Sequence, residues 1–167
     1  QAVQEANRRV YELSRRDADK QGMGTTLTAV WIRDGVAHLA HIGDSRAYLI
    51  RDSELQLLTN DHSLVGELLR QGSLTPSEAQ FHPSRHALTR ALGVEAEVKV
   101  DSRSMSLNKN DLIFLCTDGL TNLVSDEEIK TVFAETGDLQ EALAKLVQLC
   151  LERGAHDNIT MLAILID

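Results

Sequence analysis

Val3, Ala6, Val10 and Leu13 recur at the three- and four-residue steps of one helical face, so the pattern predicts a helix from the first residues onward. It opens mid-pattern, without a capping residue or an initiator methionine, and reads as the cut end of a longer chain. From Thr25 to Thr59 the period shortens to that of strands: Thr26 to Ile32, Val36 to Ile42, Arg46 to Arg51 and Leu55 to Thr59. Turn-forming residues separate them at 33–35, 43–45 and 51–53, which predicts consecutive antiparallel pairing as a meander. Alternation is only partial in Val36 to Ile42, as expected for a strand covered on both faces.

Leu64, Val65, Leu68 and Leu69 then give a short amphipathic helix ended by Gly72, and Asp61 is expected to cap it. Thr75-Pro76-Ser77-Glu78 is a capping box with proline at the first helical position. The stretch from Phe81 to Gly93 is irregular and polar. Strands are predicted at Val98 to Met105 and Leu112 to Thr117, and a second capping box, Ser125 to Glu128, opens a helix to Phe133. A longer helix runs from Leu139 to Glu152 with Asp138 as cap and Gly154 as stop, burying Leu139, Leu143, Leu146, Val147 and Cys150. Ile159 to Ile166 closes the chain as a strand apolar enough to be central, and Trp31 is assigned to the core. Runs of strands and separate helical stretches argue for a layered α+β domain.

Composition narrows the function more than the fold. The 167 residues carry a net charge of -8, with 43% hydrophobic and 25% charged residues, as in an ordinary globular domain. The arginines at 8, 9, 15 and 16 alternate with the apolar stripe and read as a solvated helix face, so no nucleic-acid footprint is present. No apolar run is long enough to span a bilayer. Cys116 and Cys150 lie far apart in apolar stretches, which suits buried free thiols in a reducing, cytoplasmic setting.

Three aspartates stand where regular structure stops: Asp44 in a turn, Asp118 after the strand ending at Thr117, and Asp157 before the last strand. If those two strands pair antiparallel, the end of one lies beside the start of the other. Two carboxylates about 4 Å apart repel by on the order of 4 kcal/mol, so such a cluster calls for a proton or a cation. Oxygen-only ligands select Mg or Mn over zinc. Gly119 would let the backbone approach that site closely.

The whole ordered set, Thr25-Thr26, Gly43-Asp44-Ser45-Arg46-Ala47-Tyr48, Thr59-Asn60-Asp61-His62-Ser63, His82-Pro83, Leu88-Thr89-Arg90-Ala91-Leu92-Gly93, Thr117-Asp118-Gly119-Leu120 and Asp157-Asn158-Ile159-Thr160, resembles the PP2C-type metal-dependent Ser/Thr protein phosphatases, in their compact bacterial branch. The resemblance implies an α-β-β-α sandwich of antiparallel sheets flanked by helices, formed by residues 1–167 as one domain, with a flap over about 60–93. It implies that Asp118 and Asp157 are catalytic ligands of a binuclear Mg or Mn centre, and that Asp44 with Asp118 helps hold a third, weaker metal. His82 and His86 would belong to the flap beside the substrate groove, with a catalytic or substrate-contacting role for His86 as the minority reading. The implied reaction is hydrolysis of phosphoserine or phosphothreonine in proteins by a metal-activated water, with no phosphoenzyme, opposing a cognate Ser/Thr kinase in signalling. The family's opening segment, with a phosphate-gripping arginine and a metal-bridging Asp-Gly-x-Gly-Gly turn, does not occur here. Gln21-Gly22-Met23-Gly24 only imitates that turn, so the expected activity of these residues alone is slight.

Two further readings compete. One is a catalytically dead, phosphoprotein-binding relative. The other is a GDS-type esterase with Ser45 as nucleophile, against which stands the lack of any histidine with an aspartate three residues before it. His38 and His41, three apart on a strand, face opposite ways and read as packing or surface residues.

Overall fold

The computed structural model describes residues 1–167, the side chain of Gln80 excepted. Two compact units arise, Gln1–Ser45 with Asn60–Ser106, and Arg46–Thr59 with Leu107–Asp167. Each is built on one antiparallel sheet.

In the first unit, β1 (Leu27–Arg33), β2 (Val36–Ile42) and β5 (Asp101–Ser106) form a sheet in the order β1-β2-β5. The predicted helix is α1 (Ala2–Arg16), and its Val3, Ala6 and Val10 pack with Leu27 and Val100 around buried Ile42, Leu92 and Val98. Arg8, Arg9 and Arg16 face solvent in ion pairs with Glu5 and Glu12, and Arg15 lies over the Tyr11 ring. Two short helices, α2 (Leu64–Arg70) and α3 (Pro76–Gln80), follow. The Thr75 capping box forms as expected. The cap of α2, however, is Ser63, whose hydroxyl accepts from the Gly66 N–H, and not Asp61. From Phe81 to Gly93 the backbone is irregular, tied down by isolated bridges Ser63↔Leu88 and Thr25↔Leu92.

In the second unit, β3 (Arg46–Arg51), β4 (Glu54–Leu57), β6 (Leu112–Cys116) and β7 (Met161–Leu165) form a sheet in the order β4-β3-β6-β7. Tyr48, Phe114 and Cys116 pack with Leu120, Val124, Ile129, Leu146 and Cys150 as its core. Full burial of each large apolar side chain here stabilises by roughly 1.5–3 kcal/mol. The helices are α4 (Asp118–Thr121), α5 (Asp126–Glu135) and α6 (Leu139–Glu152). The Ser125 capping box and the Asp138 cap are both made, and Gly154 with φ 98° stops α6. Both cysteines are free and buried.

Several further expectations need correction. The meander does not run through all four early strands: β1 pairs β2 and β3 pairs β4, but β2 and β3 belong to different sheets. The 43–45 link is no hairpin turn, because Gly43 at φ 109° redirects the chain, and a Cβ there would run into Thr26. β7 is an edge strand, not a central one, with Leu162 53% and Leu165 49% exposed; a strand's place is set by sheet order, which its apolar composition does not report. Trp31 is 59% exposed on edge strand β1, lying near the His38 ring and the Arg33 guanidinium rather than in the core. On α6 the buried residues are Ala142, Leu146 and Cys150, while Val147 is exposed. Partial alternation in β2 is matched: no residue of that strand is exposed. Among the described residues no helix is long and apolar enough to cross a membrane.

Candidate metal site at the strand ends

β6 and β7 pair antiparallel, Leu112↔Leu165 through Cys116↔Met161, so the end of β6 meets the start of β7. Past the ladder the chains stay stitched together. The Thr117 N–H donates to the Thr160 carbonyl at 3.1 Å, and the Thr117 hydroxyl donates to the Asn158 carbonyl at 3.3 Å while accepting from the Thr160 N–H at 3.0 Å. Thr117 therefore serves this crossing rather than capping the short α4 helix that Asp118 opens. That helix escaped the sequence reading because four residues carry no periodicity.

Gly119 rests directly on Asn158. A Cβ built on it would fall well inside 3.0 Å of the Asn158 carbonyl oxygen, a separation that backbone atoms cannot relieve without moving. The close approach expected from the glycine is thus made, and it is made by the partner dipeptide itself: Asp118-Gly119 packs against Asp157-Asn158. Each aspartate is then oriented locally. Asp118 Oδ2 accepts from Asn122 Nδ2 at 3.1 Å, and Asp157 Oδ1 accepts from the Asn158 N–H at 2.7 Å. Among the described residues no donor bonds to the second oxygen of either carboxylate. Asp118 is half-buried and Asp157 exposed, so both oxygens sit where a hydrated ion could reach them.

These donors fit Mg or Mn in kind, being hard carboxylate oxygens on backbones held in contact. As a pair they would supply only two protein ligands, and among the described residues no group of three or more His, Cys, Asp or Glu side chains is gathered as for a metal ion.

Asp44, in the first unit, is half-buried in a turn fixed on both flanks. Gly43 is held by His62 twice: its N–H donates to His62 Nδ1 at 3.1 Å and its carbonyl accepts the His62 N–H at 2.8 Å. On the other flank the Ser45 hydroxyl pairs with Thr26 Oγ1 at 3.0 Å. Ser45 is 8% exposed and meets a threonine rather than a histidine, so it lacks the base a nucleophilic serine needs. The His62 ring is buried beside that of His41, with centroids 4.8 Å apart. Burial lowers both imidazoles below their ordinary pKa. Asp101 takes His62 Nε2 at 3.1 Å and Arg90 Nη1 at 2.8 Å. Burial alone would raise the Asp101 carboxyl, but bonds from Arg90 and His62 outweigh it and the net shift is downward.

His86 is exposed in the irregular segment, and His82 Nδ1 accepts from the Ser84 N–H at 3.1 Å in the same turn. The sequence reading missed Thr117 and Asn122 as supports of the acidic edge, and missed the pairing of His62 with Asp101. The Thr-Asp-Gly and Asp-Asn-x-Thr spacings could have indicated the first. Nothing local signals a partner 39 residues away in the chain.

A family model described as protein phosphatase 2C matches residues 1–162. The Serine/threonine phosphatase stp of Listeria welshimeri is 38% identical over 162 residues, which are 97% of this chain and 64% of the relative. The crystal structure of Serine/threonine phosphatase Stp1 from Staphylococcus aureus superposes with a TM-score of 0.93 at 34% identity, covering 99% of this chain and 65% of that one. The catalytic domain of serine threonine protein phosphatase PstP, in complex with two manganese ions, superposes with a TM-score of 0.89 at 36% identity, covering 99% of this chain and 69% of that one. The chain thus spans a little under two thirds of the length of the curated relative it matches.

Proposed function

This chain belongs to the protein phosphatase 2C family, and from that membership we propose that it is the Asp118- and Asp157-bearing part of an enzyme that hydrolyses phosphoserine and phosphothreonine in proteins. The observation that carries this reading is the packing of Asp118-Gly119 on Asp157-Asn158 through the Gly119 contact. Residues 1–167 serve as a single phosphatase domain with its flap at about 60–93. The substrates are cytoplasmic phosphoproteins of a cognate Ser/Thr kinase.

Asp118 and Asp157 would hold Mg or Mn in a binuclear centre, and Asp44 a further, weaker cation. Bound there, the cations neutralise phosphoryl charge and lower the pKa of water. The chain's own residues do the positioning. Asn122 and the Asn158 N–H each fix one carboxylate oxygen, so that the other would be the one to meet an ion. Thr117 holds the two segments in register, and Gly119 sets their separation. His86, on the flap, is the candidate for contact with the phosphopeptide. Two protein carboxylates are few for a centre of two divalent ions, so these 167 residues alone are proposed to hydrolyse little.

The test is hydrolysis of p-nitrophenyl phosphate and of a phosphothreonine peptide, with and without Mn, by this chain and by a form extended upstream. The extended form should turn over only with Mn, and Asp118→Asn should lower its rate at least about a hundredfold. Turnover that survives chelation or that substitution would contradict the assignment.

A further inference from the structure

The protons around His62 can be placed from its partners alone. A backbone N–H only donates, so the bond from Gly43 to Nδ1 requires the lone pair there. The neutral ring then carries its hydrogen on Nε2 and donates it to Asp101 Oδ2. The other Asp101 oxygen is taken by Arg90, which fixes which way the carboxylate faces. His62 is wholly buried, so no water can substitute for a lost partner at the ring. On the opposite flank His41 Nε2–H donates to the Asn60 carbonyl at 3.1 Å, so Nδ1 faces the Thr28 hydroxyl at 2.9 Å as an acceptor, and the single Thr28 hydrogen is shared between it and the Ser45 carbonyl 3.3 Å away.

A buried histidine whose only task was packing would need one acceptor and one donor from anywhere. Here a cation, a carboxylate and an imidazole stand in series, and the series ends on the backbone of the residue preceding Asp44. Carboxylate–histidine pairs of this form fix a tautomer and so fix what the other ring nitrogen can hold.

We propose that Arg90, Asp101 and His62 are positioning residues for Asp44: Asp101 holds His62 as the Nε2–H tautomer, so that Nδ1 grips the Gly43 N–H and sets where the Asp44 carboxylate stands for its cation. This rests on the reading of Asp44 as a ligand. Asp101→Asn is the sharp variant. Arg90 donates, so it keeps the amide oxygen of the new side chain and turns the NH2 group toward His62. The ring then meets two donors and can accept from only one. Adding Arg90→Gln supplies an acceptor, lets the amide of residue 101 turn over, and restores an oxygen to Nε2–H.

The experiment uses the 15N-labelled 167-residue chain. Imidazole 15N shifts should report the Nε2–H tautomer for His62, with a scalar coupling across the Gly43 N–H···Nδ1 bond. In Asp101→Asn the coupling should vanish and Gly43 amide exchange should quicken at least about tenfold through local opening, and the Arg90→Gln double variant should recover both. In a Mn titration, the concentration that half-broadens the Asp44 amide should rise about tenfold in Asp101→Asn while that for Gly119 and Asn158 stays put, and should return in the double variant. An Nδ1–H tautomer in the parent, or equal loss at Asp44 and at Gly119, overturns the proposal. So does broadening of Asp44 that ignores the Asp101 substitution. If Mn leaves Asp44 untouched in the parent, the ligand reading fails and the positioning role goes with it, while the tautomer result still stands on its own. Should Asp101→Asn not fold, the parent tautomer and the double variant decide.

Discussion

Gly119→Ala adds one methyl group at the point where the two acidic dipeptides touch. Its carbon would stand within 3.0 Å of the Asn158 carbonyl oxygen, and both neighbours are backbone, so neither can swing aside. Reaching ordinary contact requires the segments to part by about 1 Å, which Thr117 resists through its bonds to Asn158 and Thr160. Overpacking of this kind costs about 1–3 kcal/mol. For a chain of this size that lowers the melting temperature by about 2–10 °C. Gly119 has no positive φ, so the loss reports the contact and not backbone strain. A shift of about 1 Å between carboxylates should also weaken divalent binding at least about tenfold, as loosened supporting shells do. Thermal unfolding and Mn binding of the variant, followed beside Gly137→Ala as a control with open space around it, read both effects. Unchanged melting and unchanged Mn affinity in Gly119→Ala would refute the view that this contact sets the site.

Thr117→Val removes the hydroxyl that bridges Asn158 and Thr160 and should destabilise by about 1–2 kcal/mol in urea unfolding, with a parallel fall in Mn affinity; a loss of stability alone would separate the stitch from the site. Asp111 is 2% exposed and accepts from Arg51 at 2.8 and 2.6 Å and from the Asn108 N–H at 2.7 Å, so Asp111→Ala should cost about 2–4 kcal/mol, and a cost below about 1 kcal/mol would contradict that role. His41 and His62 are held below their ordinary value of 6.5, chiefly by burial. The unfolded chain therefore binds more protons just below that pH. Stability should be complete above about pH 6.5 and fall on acidification by up to about 1.4 kcal/mol per pH unit for each ring; a flat urea-unfolding profile between pH 7.5 and 5 would argue against the buried neutral pair.

Local chemistry made much of this fold legible. Both capping boxes form, α6 spans Leu139–Glu152 as its periodicity indicates, and the Asp118 and Asp157 strands pair as the site requires. What failed was decided by distant parts of the chain. The 43–45 link has turn composition, yet whether it closes a hairpin or carries the chain to another sheet depends on Thr26 packing against Gly43. Trp31 and Leu162 have the hydrophobicity of core residues, but each lies on an edge strand, and edge position is a property of sheet order. Of the site, the acidic residues stood out because carboxylates at strand ends are chemically conspicuous. Their supports did not: threonine and asparagine have many structural uses, and His62 gains its meaning only from Asp101 and Gly43.

The central claim is that Asp118 and Asp157 share a divalent cation. Mn-induced broadening across the amide spectrum of the 15N-labelled chain tests it most directly, in the parent and in Asp118→Asn and Asp157→Asn. Broadening should begin at residues 117–119 and 157–159 together and at one concentration, and either substitution should raise that concentration about tenfold at both segments. Broadening of one segment that is indifferent to loss of the other's carboxylate would contradict it.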